Sequence, residues 1–269
     1  MTTHTGEVMG TVATVRFIEA PDAATDPGRP TRMAAAAEAF LAAMRDDEAI
    51  FSPFQAGSAI RRIARGELTI ADAPPQVVEV ERACRNALAV TDGRFDAWRD
   101  GWFDPTGLVK GWSIDRAFEA RLAPLLTIEP GIAAVGVTVG GDLRVATAPT
   151  AEWSWSIAVS NPFDPSRGVA RVSLRDGAIA SSGSAERGAH IIDPALGRPA
   201  ESVTQATVIA DPGPTSLQTA DLWATVAVIA GPDNLTWAPA APGIQTVLLV
   251  APDTSTRRWD REPDTPSVP

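Results

Sequence analysis

The 269-residue chain contains no tyrosine, one cysteine (Cys84), two histidines (His4 and His190) and, among its 23 basic residues, a single lysine, Lys110. One cysteine excludes an internal disulfide. Two histidines and one cysteine do not suffice for a zinc centre of three or four nitrogen and sulfur ligands. A formal charge of −10 with one lysine disfavours binding to a phosphate backbone, so no nucleic-acid partner is expected. No apolar run approaches the roughly 18 residues of a membrane helix. Met1 to Gly10 has neither a basic n-region nor an apolar h-region, so the expectation is a cytoplasmic protein without a membrane anchor. Common nucleotide and hydrolase signatures are missing as well. Lys110 stands between Val109 and Gly111 rather than in Gly-Lys-Ser/Thr, Gly136 to Gly141 lacks the GxGxxG spacing, and there is no GxSxG.

What is present is a chain that is 45% hydrophobic and 21% charged, able to bury a sizeable core. Alternation predicts a strand over 8–18, and helical spacing predicts helices over 32–46, 58–65 and 74–90, the last led by proline. The stretch 91–110 has no clean period and reads as a functional loop, followed by a helix over 111–125. Strands are expected over 133–139, 153–160, 169–174, 178–181 and 203–210, then a helix over 215–230 and a buried strand over 246–250. Helices first and strands second imply an α+β fold. The composition of 252–269 suggests a disordered tail, and His4 is expected to lie in an N-terminal one. Cys84 lies near the apolar stripe of its helix, as a packed small hydrophobe would.

Four polar clusters stand out. They are Thr91-Asp-Gly93-Arg94-Phe95-Asp96 with Asp104-Pro-Thr-Gly-Leu-Val-Lys110-Gly-Trp112; Gly140-Gly141-Asp142; Ser181-Ser182-Gly183 running into His190-Ile191-Ile-Asp193-Pro194; and Ala220-Asp221-Leu-Trp-Ala-Thr225. Each has a purely structural reading. Asp92-Gly93 and Gly140-Gly141 suit turns, Asp193-Pro194 suits a turn or helix start, and Asp221 and Thr225 could be one polar helix face.

Together, and with Met9-Gly-Thr11 and Phe51-Ser52 followed by Ser58, these blocks resemble the ApbE family, the FAD:protein FMN transferases, from residue 9 to about 250. The resemblance implies an ApbE-like, T-fold-related arrangement of mixed sheets with packed helices, forming one flavin-binding unit over residues 1–251. It implies FAD as substrate, Mg²⁺ near the pyrophosphate, and transfer of FMN to a Thr or Ser hydroxyl of an acceptor protein with release of AMP. Under it, Asp221, Thr225 and the backbone carbonyl of Ser113 hold the metal, and His190, Asp193 and Lys110 are catalytic. FAD would be contacted by Met9, Ser52, Gly93, Arg94, Phe95, Asp96, Lys110, Asp115, Gly140, Gly141, Asp142, Ser182, Gly183, His190 and Ile191. The same motifs are compatible with hydrolysis of FAD to FMN and AMP, or with flavin storage. The residue types suit phosphoryl transfer, where positioning and charge neutralisation dominate.

Overall fold

A computed structural model describes residues 1–184, 188 and 190–262; the last part of the expected tail, 263–269, lies outside the described residues. The chain opens with a hairpin of β1 (Thr2–Val8) and β2 (Thr11–Glu19). Its turn residues Met9 and Gly10 have φ of +49° and +71°, the left-handed pair that matches strand twist in a two-residue hairpin. The N-terminus is therefore not a tail. His4 pairs with Val15 and sets its ring edge-on to Phe17 at 6.0 Å.

Three helices follow: α1 (Arg29–Phe51), α2 (Ala59–Ala64) and α3 (Pro75–Val90). The buried positions of α3 are Val77, Val80, Cys84 and Ala87, the one-sided spacing read from the sequence. Burial pushes the Cys84 thiol well above its ordinary pKa, which makes it an unreactive core group. Helix α4 (Thr106–Arg121) begins five residues earlier than its periodicity suggested; just ahead of it, before the N-cap Pro105, the Asp104 carboxylate accepts the Thr106 N–H at 3.0 Å in a local turn. Lys110 consequently sits on a helix rather than in a loop. A short α5 (Leu125–Ile128) leads into β3 (Ile132–Val139) and β4 (Asp142–Thr147).

The rest comprises β5 (Trp155–Asn161), β6 (Asp164–Leu174), β7 (Gly177–Gly183), the two-residue strands β8 (Ile192–Asp193) and β9 (Arg198–Pro199), β10 (Gln205–Ala210), α6 (Ser216–Ala230), β11 (Ile244–Val250) and β12 (Thr256–Asp260). Eight strands form one sheet in the order β1-β2-β3-β4-β7-β10-β11-β12, and every ladder among the described residues is antiparallel. The α+β expectation holds. Strand β12 lies in the stretch read as a disordered tail. Trp259 pairs with Val247, and the Thr246 hydroxyl donates to Asp260 at 2.8 Å, contacts made across the ladder that local composition does not report.

Alternate residues divide between the two faces of the sheet. Val15, Phe17, Val135, Val137, Ala180 and Val208 join the helices in the main core. Val145, Ile179 and Ile209 face the other way and meet Leu174 and Trp155 of the β5–β6 ribbon.

The tightest joint in the helical layer is between α4 and α6. A Cβ placed on Gly111 would lie 2.8 Å from the Gln218 Cα and 3.0 Å from the Leu217 carbonyl oxygen, so only glycine allows this approach. Below it, the buried Asp115 carboxylate accepts the N–H groups of Leu217 (3.2 Å) and Gln218 (2.8 Å). These are orphan donors of the first turn of α6, for which Thr215 provides no side-chain cap. Arg144 of β4 comes within 3.3 Å of the same carboxylate. Gly111→Ala should therefore lower stability by about 1–3 kcal/mol, measured by urea unfolding; an unchanged midpoint would contradict the close crossing.

Candidate active site

A cavity of about 570 Å³ opens where the β1–β2 turn, the end of α1, the loop after α3, the first turns of α4, the end of β7 and the middle of α6 converge. That volume is in the range of small-molecule sites. Of the residues proposed from the sequence, Met9, Ser52, Arg94, Phe95, Asp96, Lys110, Gly140, Ser182, Gly183, His190, Ile191, Asp221 and Thr225 line it. They come from eight separate stretches of chain, joined only by the fold.

Lys110 is the electrostatic hinge. From α4, its Nζ lies 2.5 Å from Asp142 Oδ2 on β4 and 3.8 Å from Asp221 Oδ1 on α6. Asp142 is 1% exposed as a side chain and also accepts the Ser181 N–H at 3.2 Å. Burial holds its carboxyl above the usual range and the nearby Asp221 charge adds to this, while Lys110 opposes both. Two carboxylates thus stand within 4 Å of one ammonium at the cavity.

One turn along α6 from Asp221, the Thr225 hydroxyl is 3.2 Å from the Ser182 hydroxyl of β7. Carboxylate and hydroxyl thus face the same cavity from one helix. No group of three or more His, Cys, Asp and Glu side chains arranged for a metal occurs among the described residues. An ion at Asp221 would draw its remaining ligands from hydroxyls, carbonyls, water or substrate phosphates, which is the binding habit of Mg²⁺. The donor set present fits that ion.

His190 is exposed at the cavity, with Nδ1 3.0 Å from the Gly188 carbonyl oxygen. If Nδ1 carries the proton in that contact, Nε2 is left as an acceptor. Asp193 does not orient this ring. Its Oδ1 accepts the Ala195 N–H at 2.8 Å, and it is not a cavity residue.

Several other expected contacts lie off the cavity wall. Gly93 and Gly141 are turn residues with φ of +77° and +91°. Asp142 stands behind Lys110. Asp115 is the cap of α6 described above rather than a ligand contact. The Ser113 side chain is turned away to Asp47 of α1, donating to Oδ2 at 2.6 Å, and Arg116 meets Asp47 Oδ1 at 2.6 Å. The Ser113 carbonyl sits in the interior of α4, where helical bonding uses one of its two lone pairs. Conversely, the cavity includes residues the motifs did not point to: Glu48, Phe54, Gln55, Thr204 and Gln205. Phe54 carried a signal, an aromatic in the proline-broken loop after α1; it is 94% exposed on the cavity rim.

The chain is similar to known proteins. The model of the ApbE family matches residues 98–248. The FAD:protein FMN transferase of Escherichia coli (strain K12) is 30% identical over 170 residues, covering 60% of this chain and 46% of that protein. The protein of the same name from Salmonella typhimurium is 29% identical over a segment of the same length. The chain thus spans about half the length of the curated relatives it matches. Among solved structures, the ApbE protein of Thermotoga maritima superposes with a TM-score of 0.76 at 21% identity, over 97% of this chain and 99% of that one. The flavin transferase ApbE from Vibrio cholerae gives 0.66 at 20% identity, over 96% of each. These two structures share the fold.

The buried Asp115 offers a test of the framework. Burial pushes its pKa up to about 7, against the opposing pull of the Gln218 N–H and Arg144. With the folded pKa above the unfolded 3.8, ionising Asp115 reduces stability progressively as pH rises from about 4 to 7. Asp115→Asn keeps an oxygen for the α6 N–H groups and removes the titration. Its stability relative to wild type should improve between pH 5 and 7.5 in urea unfolding; a pH-independent difference would contradict the shift.

Proposed function

Because this chain belongs to the ApbE family, we propose that it is a Mg²⁺-dependent FAD:protein FMN transferase acting on a Thr or Ser hydroxyl of an acceptor protein. The observation that carries the reading is Lys110 held between Asp142 and Asp221 at the wall of one cavity, with Thr225 a turn further along α6 and His190 at the rim.

In this reading Asp221 and Thr225 would hold Mg²⁺, with the Ser113 carbonyl implied by the family likeness as a further ligand. The ion would supply charge neutralisation on the pyrophosphate. Lys110 fixes the Asp221 carboxylate and adds positive charge beside the phosphates. The exposed Phe54 and the Met9 side chain offer flat apolar contact for a ring system. Gly140, in its positive-φ turn, lets backbone approach the ligand without a Cβ in the way.

The acceptor hydroxyl attacks the phosphorus on the FMN side. A new O–P bond forms, the P–O bond to AMP breaks, and AMP leaves with the electron pair. The hydroxyl proton passes to His190 Nε2, whose ring is oriented by the Gly188 carbonyl.

The test combines the purified chain, FAD, MgCl₂ and an acceptor domain that an ApbE relative flavinylates, with AMP release and acceptor mass as readouts. One FMN added per acceptor and one AMP released are expected. AMP and FMN with an unmodified acceptor would replace transfer by hydrolysis, and intact FAD would overturn catalysis. Asp221→Ala should reduce AMP release by roughly 100-fold or more while the circular dichroism stays native, because Lys110 keeps its Asp142 partner. Undiminished turnover in that variant would overturn the metal assignment.

A further inference from the structure

Glu48 occupies the last turn of α1, the end where the helix dipole is negative and a carboxylate is unfavourable. Its placement therefore calls for a compensating partner. Glu48 Oε2 accepts the backbone N–H of Met9 at 2.7 Å, across 39 residues of sequence. Met9 is the turn residue with φ of +49°, a conformation that a side-chain-bearing residue adopts with strain. The Glu48 carbonyl meanwhile accepts the Ser52 N–H at 2.8 Å. Met9, Glu48 and Ser52 all line the cavity.

We propose that Glu48 is a positioning residue for the flavin nucleotide: through one charge-assisted hydrogen bond it holds the strained Met9–Gly10 turn in place, so that Met9 forms a fixed wall of the cavity. The hairpin register alone leaves this turn amide without a ladder partner, since the pairing closes at Val8 with Thr11. With the amide held by α1, the turn is tied to the helix that also presents Ser52, and the two sides of the cavity mouth move as one. A pre-formed wall spares the ligand the cost of ordering it.

This inference rests on the reading that FAD occupies the cavity, and the experiment separates the two. Titration of FAD into the wild type, Glu48→Ala, Glu48→Gln and Met9→Gly variants is followed by flavin fluorescence, with melting temperature recorded in parallel. Glu48→Ala is expected to raise the Kd for FAD about tenfold with a melting temperature near that of wild type. Glu48→Gln, which keeps an acceptor oxygen, is expected to recover most of the affinity. In Met9→Gly, where the wall is gone and the turn is unstrained, adding Glu48→Ala should change Kd little. Equal affinity in wild type and Glu48→Ala, or full additivity with Met9→Gly, overturns the positioning role while leaving the proposed function standing. Failure of the wild type itself to bind FAD overturns the flavin reading and this inference with it.

Discussion

The site depends on how closely α4 can lie against α6. Gly111 removes the side chain that would strike the α6 backbone, and Asp115, one turn further on, takes two N–H groups of the first turn of α6. The helix start is thus capped from another helix, about 100 residues away in sequence. Lys110 immediately precedes this contact, and only at that separation can it come within ion-pairing distance of Asp221. Arg144 extends the joint to the sheet: beyond its approach to Asp115 it donates to Glu119 at 2.9 Å and to the Gly213 carbonyl at 3.0 Å. Such a buried ionic cluster contributes little net stability, because desolvation offsets most of the attraction. Here it sets the mutual placement of β4, α4 and α6, the three elements that carry Asp142, Lys110 and Asp221.

A second tie holds the other side of the cavity. Asp47 and Glu48 are neighbours on α1 but turn to opposite duties. Asp47 is fully buried and binds Ser113 and Arg116 of α4. Glu48 reaches the β1–β2 turn. Helix α1 therefore links the hairpin to the helix bearing Lys110, and the polar cavity lining is held both by bonds among its own groups, such as Glu48 with Met9, and by groups behind it, such as Asp142 with Lys110. This is the arrangement expected where charged groups must keep their places without a ligand to organise them.

The legible parts of the fold were those with local causes. The stripe of α3, the apolar α6 and the strands β3, β7, β10 and β11 announce themselves by period and by proline and glycine punctuation, whereas β4, directly after the Gly140-Gly141 turn, has no expectation over 142–147. The start of α4 was misplaced because its first turn lies in a Gly- and Trp-rich stretch without a clean helical period, and its N-cap, Pro105, offers no side-chain cap to mark it. Strands β1 and β12 were missed because each is an edge strand of mixed composition whose stability comes from its ladder partner. Among site residues, motif blocks located Lys110, His190, Asp221 and Thr225. They also drew in Asp115 and Asp193, which serve backbone N–H groups instead of the cavity. A block marks where chemistry is concentrated but does not separate the residue that faces a ligand from the one that holds the backbone behind it.

The sequence by itself determined the chemical inventory: one lysine, one histidine outside the N-terminal strand, hard oxygen donors rather than thiols, and an acidic balance of charge. It also determined the family, since ordered blocks survive changes elsewhere in the chain. Only the tertiary structure decided which members of that inventory meet. Contact between Lys110 and Asp142, or between Glu48 and Met9, depends on strand register and helix crossing. Both are set by the packing of the whole core, and no local stretch of sequence encodes them.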